Sequence, residues 1–143
     1  GSLEWRRELV NNGLAALKES NGLGVGAGGS VPIQEKIGGV AGRFTSMHNF
    51  WIELLVEGGI IFFSLIIGWY ISITYNLFKI SKWRENPEIQ YYGSALFLAM
   101  IGFVPAAIAA SSTIYFFPMW IMFGLSISVI YAYRRKRFHQ HTT

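Results

Sequence analysis

The chain has 143 residues, of which 52% are hydrophobic and 14% are charged, against roughly 25% charged residues in soluble domains. The formal net charge is +4, but the basic residues gather beside apolar runs, a pattern that argues against a nucleic-acid partner. There is no cysteine, which excludes disulfides, thiolate metal sites and a cysteine nucleophile. Composition therefore predicts an all-α membrane protein.

The first predicted element is an amphipathic helix near residues 3–20. Val10, Leu14 and Leu17 recur at helical spacing, and most charged residues of the segment lie elsewhere. Asn21-Gly22 follows, and both residue types tolerate the positive φ with which many helices end.

A glycine-rich loop comes next, over residues 22–29, and Gly24, Gly26 and Gly29 satisfy the spacing G-x-G-x-x-G. The dinucleotide-binding fingerprint requires a preceding strand, a following helix and an acidic residue about 20 positions on. A predicted helix precedes this loop, so we reject the nucleotide interpretation. Two interpretations stay open, a loop that brings backbone N–H groups close to an anion and a flexible connection.

Residues 30–46 show no sustained period, and we predict a loop over the membrane surface. Thr45 or Ser46 then caps a short interfacial helix near 47–57. The pair Gly58-Gly59 allows a change of direction into the first membrane span.

Two long apolar runs follow, Gly58 to Phe78 and Ile89 to Tyr133, and neither contains a charged residue. At about 20 residues per spanning helix, they allow one span and then two. We predict spans near 58–79, 92–111 and 115–133 within a transmembrane region over 58–143. Gly102 and Pro105 are expected to loosen or kink the second span.

The basic flanks set the predicted orientation. Lys79, Lys82 and Arg84 follow the first span and residues 134–137 (RRKR) follow the last, so both flanks are placed in the cytoplasm by the positive-inside rule. Residues 1–57 are then extracytoplasmic. Binding of anionic lipid headgroups is a second interpretation of the basic tail. The chain has no initiator Met and no secretory signal, and we expect further spans upstream.

His48 is the main candidate for chemistry, since the other two histidines lie in the C-terminal tail. A neutral imidazole outside the membrane can accept a proton from a hydroxyl nucleophile; the alternative is an interfacial histidine that only caps or hydrogen-bonds. The spacing of His48 and Glu53 does not suit a shared metal ion, so no metal or other cofactor is predicted. Glu53 and Glu57 lie side by side on one helix, which does not suit glycoside hydrolysis.

Arg6 and Arg43 are candidate anion ligands. A guanidinium presents a planar fork that matches phosphate oxygens and stays charged at all accessible pH values. Arg7, next to Arg6, points to another side of the same helix. The default alternative for each arginine is a solvated surface position.

Three motifs precede the first predicted membrane span. They are R-x-x-L-x-x-x-G-L from Arg6, G-V-G-A-G from Gly24 and H-N-F-W-I-E-L-L-V-E-G-G from His48. This order resembles the C-terminal part of the O-antigen ligase and Wzy-type O-antigen polymerase superfamily. The motifs cover about the first 75 residues, and topology covers the remainder. Many relatives have a further glycine three residues after the one matching Gly59, and here that position is Phe62.

The resemblance implies a multi-pass glycosyltransferase of the GT-C type in the bacterial cytoplasmic (inner) membrane. It would use a polyprenyl-diphosphate-linked glycan as donor and a glycan or lipid as acceptor, without a metal or nucleotide, and build an O-antigen-like, capsular or teichuronic-type polysaccharide of the cell envelope. By analogy, His48 would activate or orient the acceptor hydroxyl and Arg6 would help neutralise the diphosphate. Asn49 could orient His48 or bind sugar, and Glu53 could tune either partner.

Two other interpretations remain: a non-catalytic membrane anchor that binds a partner, and a transporter fragment with a discontinuous second span. Relatives place further arginines upstream of the part that this chain matches. We therefore expect the chain alone to lack transferase activity. Polymerase, ligase and protein O-glycosyltransferase are not distinguished.

Overall fold

The structure is a computed structural model that describes residues 2–37, 49–109 and 117–142, and these residues form five helices and no strand. The helices are α1 (Ser2–Glu19), α2 (Ser30–Ile37), α3 (Phe50–Ser81), α4 (Pro87–Ala109) and α5 (Phe117–Thr142). The predicted all-helical class is confirmed for this part of the chain.

Two of the described helices are long and apolar enough to cross a membrane. They are Phe50–Ser81, with a mean hydropathy of 2.1 in its most apolar window, and Pro87–Ile108, with 1.6. Only 17% of each window is buried inside the protein, whereas a core helix of a soluble protein is mostly buried. These helices correspond to the first two predicted spans. The third predicted span falls largely in α5, which is not one of the two.

The described residues divide into two compact units. The first contains α1, α2, the part of α3 up to Ile67 and the end of α4 from Ala106. The second contains α3 from Gly68, α4 up to Pro105, and α5.

In the first unit, α1 forms where the amphipathic pattern predicts it, but its buried side differs from the predicted one. Leu9, Gly13, Ala16 and Leu17 are buried, whereas Leu14 is 39% exposed. The buried stripe therefore passes through Gly13, a residue that hydrophobicity alone does not mark. Of the predicted stripe through Val10, Leu14 and Leu17, Leu17 is buried and Val10 is half-buried, whereas Leu14 is exposed.

The end of α1 agrees with the sequence. The Asn21 N–H donates to the Lys18 carbonyl (3.0 Å) and the Gly22 N–H to the Leu17 carbonyl (2.9 Å). With Asn21 at φ 53° this is a Schellman motif, which satisfies the last carbonyls of the helix.

Helix α2 corrects the prediction of a loop over residues 30–46, because residues 30–37 of that segment are helical. The segment SVPIQEKI is too short for a helical period to be visible. Ser30 followed by Pro32 is nevertheless a typical helix start, because proline in the first turn sacrifices no intrahelical hydrogen bond.

In the second unit, α3, α4 and α5 meet around aromatic rings. The Phe123 ring contacts Trp69 (4.9 Å between centroids), Tyr70 (6.2 Å) and Phe103 (6.3 Å). The Tyr70 hydroxyl donates to the Met100 carbonyl. In α4, Pro105 lies inside a helix that continues to Ala109, so the backbone is not interrupted as the transporter interpretation requires.

Candidate functional site

The feature that organises the first unit is a break in α3. Gly59 has φ 77° and ψ 174°, so the helix stops at Gly58 and a second helical segment starts at Ile60. A helix that ends leaves its last carbonyls and the first N–H groups of the next segment without intrahelical partners. The predicted change of direction at Gly58-Gly59 is confirmed.

The glycine-rich loop supplies the missing partners. The N–H of Val25 donates to the Val56 carbonyl (3.0 Å) and that of Gly26 to the Glu57 carbonyl (3.0 Å). In return, the Ile60 N–H donates to the Gly22 carbonyl (2.9 Å). We call this set, residues 22–26 with 56–60, the loop–break junction.

Glycine is required on both sides of the junction because the two backbones touch. A Cβ on Gly24 (φ +86°) would lie 2.5 Å from both the Glu57 carbonyl oxygen and the Gly59 nitrogen. A Cβ on Gly59 would clash with the Leu23 carbonyl group. Only glycine combines a positive φ with this closeness of approach.

The junction changes the interpretation of the loop. The N–H groups of Leu23, Gly24, Val25 and Gly26 all donate to acceptors within the protein. They are therefore not directed at an external anion, and residues 22–26 are not a free flexible connection either. Both interpretations that the sequence left open are replaced by a structural clamp on α3.

A buried hydrogen bond joins α2 to the same place. The hydroxyl of Ser30, which is 4% exposed, donates to Oε1 of Glu57 at 2.6 Å. Glu57 thus binds the start of α2 with its side chain and the glycine loop with its carbonyl. Neither this role of Glu57 nor Ser30 was predicted from the sequence.

Gln34 was also missed. Its side chain is 1% exposed; Nε2 donates to the Leu9 carbonyl (2.9 Å), and Oε1 accepts from Nδ2 of Asn12 (3.2 Å). A buried amide is stable only when it is hydrogen-bonded, and here it fixes α2 against α1. No sequence signal distinguishes this glutamine from an exposed one.

Asn49 begins α3 as its N-cap. Its side-chain oxygen accepts from the N–H groups of Trp51 (3.1 Å) and Ile52 (3.3 Å). The helix therefore starts at Phe50, and the predicted caps Thr45 and Ser46 lie outside the described residues. Glu53 lies in the first turn of α3 and is half-buried.

Arg6 lies on α1, exposed to solvent, and within the described residues it forms no ion pair or side-chain hydrogen bond. Arg6 lies three positions before Leu9 and seven before Gly13, so it is on the same face of α1 as these two buried residues. Arg7 is displaced by about 100° around the helix axis. Of the two arginines, Arg6 is the one aligned with the interior of the unit.

His48 and Arg43 lie outside the described residues. In the sequence, His48 immediately precedes Asn49, the N-cap of α3. No group of three or more His, Cys, Asp or Glu suited to a metal ion occurs within residues 2–37, 49–109 and 117–142.

Comparison with protein-family models, with curated proteins and with solved structures finds no match.

The first unit holds α1, α2 and the first segment of α3 together through buried polar contacts. It presents a guanidinium on one helix and the capped start of another, and the residue preceding that cap in sequence is a histidine.

Proposed function

We propose that this chain is part of a membrane glycosyltransferase that polymerises or ligates a polyprenyl-diphosphate-linked oligosaccharide outside the cytoplasmic membrane. The observation that carries the proposal is the loop–break junction. The glycine loop and the H-N-x9-G stretch are two of the three motifs behind the resemblance, and the loop donates hydrogen bonds to the Val56 and Glu57 carbonyls of that stretch. A chance match between separate segments would not require such contact.

The proposed reaction is a single displacement at the anomeric carbon of the donor sugar. The acceptor hydroxyl oxygen forms the new glycosidic bond, and the bond to the diphosphate oxygen breaks with its electron pair leaving on the diphosphate. His48 takes the hydroxyl proton, and Arg6, assisted by Arg43, stabilises the negative charge that develops on the leaving group. Asn49, as the cap of α3, fixes the backbone that follows His48, and Glu53 lies one turn further on.

The proposed topology is the one predicted from the sequence. The apolar part of α5 is a third span, the N-terminal segment is extracytoplasmic, and the basic tail is cytoplasmic. Apolar helices that bury little of their surface within the chain support placement in lipid or against further spans.

The transporter alternative fits less well. In transporters, broken helices leave carbonyls and N–H groups at the break to coordinate substrate or ions. Here the Val56 and Glu57 carbonyls and the Ile60 N–H are occupied by the glycine loop. The break is therefore braced rather than open to a ligand.

The test is complementation of a strain that lacks its surface polysaccharide, with the complete gene encoding this chain and its His48→Ala variant. Loss of long chains with single repeats remaining would indicate a polymerase, and accumulation of undelivered lipid-linked polymer would indicate a ligase. His139→Ala is the matched control, because it removes a histidine from the tail, and it should leave the glycan pattern unchanged. A wild-type pattern with His48→Ala, at equal membrane abundance, would refute the catalytic role and favour a non-catalytic anchor.

A further inference from the structure

A basic cavity of about 460 Å³ lies in the second unit, between the C-terminal part of α3 and the C-terminal half of α5. It is lined by Asn76, Lys79, Tyr133, Arg134, Arg137 and Phe138. No role in the proposed transfer reaction falls on any of these residues.

Aromatic contacts give the cavity a fixed wall. The Tyr133 ring meets the Trp83 ring edge to face at 4.9 Å, which ties α5 to the end of α3. Nη1 of Arg137 donates to the Tyr133 hydroxyl at 3.1 Å, and Nζ of Lys79 lies 4.5 Å from the centre of the Tyr75 ring. Two of the three cations are thus positioned by neighbouring rings.

The charge of the cavity is uncompensated. Lys79, Arg134 and Arg137 contribute three positive charges, and the lining contains no carboxylate. Within the described residues, none of the three forms an ion pair. Three cations around one cavity repel one another, and an anion bound among them offsets that repulsion.

The four basic residues 134–137 differ in whether they line the cavity. Arg134 and Arg137 are three positions apart and share one face of α5, and that face lines the cavity. Arg135 and Lys136, between them in sequence, do not line it, although all four residues are exposed. The two pairs therefore carry the same charge but differ in their position relative to the cavity.

We propose that the basic cavity binds the phosphate of an anionic phospholipid headgroup. Two guanidinium forks and an ammonium group suit phosphate oxygens, and the Asn76 amide and the Tyr133 hydroxyl suit a glycerol hydroxyl. The cavity opens at the end of an apolar helix, and the nearby rings of Phe78 and Phe138 are 42% and 68% exposed. These exposed rings favour a lipid over a free phosphate compound, since they can cover acyl chains.

The experiment titrates dioleoylphosphatidylglycerol into the purified chain in neutral detergent micelles and counts bound lipid by native mass spectrometry. Neutral micelles remove the general attraction of an anionic membrane surface. Dioleoylphosphatidylcholine, which has no net charge, tests whether the lipid must be anionic. Glycerol 3-phosphate, added as a competitor, tests whether a soluble phosphate compound binds in place of the lipid.

The double variant Arg134→Gln/Arg137→Gln should bind phosphatidylglycerol at least about tenfold more weakly, because charge-assisted hydrogen bonds are lost. The matched control Arg135→Gln/Lys136→Gln removes the same charge and should change binding by less than about twofold. Circular dichroism should show equal helix content in both. Equal weakening in the two double variants, equal binding of phosphatidylcholine, or displacement by equimolar glycerol 3-phosphate would each overturn the proposal. Because no glycan is involved, its failure would leave the proposed transferase function untouched.

Discussion

Replacing Gly24 by alanine would place a methyl group inside the loop–break junction. The added Cβ would lie 2.5 Å from the Glu57 oxygen and from the Gly59 nitrogen, both of which are backbone atoms held in α3. Neither atom can swing away as the end of a flexible side chain would. The variant can keep its fold only if the loop separates from the break.

The size of the effect follows from two contributions. Alanine at φ +86° costs about 1–2 kcal/mol in backbone strain. Separation of the loop also removes the three hydrogen bonds of Val25, Gly26 and Ile60, at about 1 kcal/mol each. We therefore expect Gly24→Ala to lower the free energy of unfolding by about 4–5 kcal/mol.

Gly26→Ala is the matched control. Gly26 has nearly the same φ, +87°, but a Cβ there meets nothing within 4 Å. It should show the strain contribution alone, about 1–2 kcal/mol. The difference between the two variants isolates the cost of opening the junction.

The assay is unfolding in mixed detergent micelles followed by circular dichroism, together with amide hydrogen exchange of the junction. In Gly24→Ala, the N–H groups of Val25 and Ile60 should exchange at least about 100-fold faster than in Gly26→Ala, as expected for about 3 kcal/mol of lost protection. Equal stability and equal exchange in the two variants would refute the close backbone contact on which the junction rests.

Two further predictions concern the contacts around the junction. Ser30→Ala removes the part-buried 2.6 Å hydrogen bond to Glu57 and should lower the free energy of unfolding by about 1–3 kcal/mol. The control is Ser128→Ala, because the exposed Ser128 hydroxyl donates to a carbonyl of its own helix; it should change the free energy of unfolding by less than about 0.5 kcal/mol. Equal effects in the two would contradict the assigned bond. Asn49→Ala removes the N-cap of α3 and should cost about 1 kcal/mol with faster amide exchange confined to the first turn, while Asn49→Ser should retain most of the stability. Full stability of the alanine variant would exclude the cap.

The sequence predicted the features that depend on local chemistry. Asn21-Gly22 ends α1 as expected, because positive φ is a local property of these residue types. Gly58-Gly59 interrupts α3 for the same reason. Of the three spans predicted from the long apolar runs, the first two are helices able to cross a membrane, since hydropathy and length decide that property.

Features that depend on contacts between residues far apart in the chain could not be predicted from sequence patterns. The glycine loop was open to two interpretations because its acceptors, Val56 and Glu57, lie far along the chain. The buried side of α1 passes through Gly13, which no hydrophobic pattern marks. The basic cavity joins Lys79 to Arg134, and only the packing of α3 with α5 brings them together.

The most direct test of the proposed function measures transfer itself. Membranes containing the complete gene product, as wild type or as His48→Ala, are supplied with a labelled polyprenyl-diphosphate-linked glycan, and the release of polyprenyl diphosphate and the growth of labelled glycan are followed. We expect transfer by the wild type, a loss of at least about 100-fold with His48→Ala, as for removal of a general base, and wild-type rates with the tail control His139→Ala. Undiminished transfer by His48→Ala, at equal abundance in the membrane, would contradict the account.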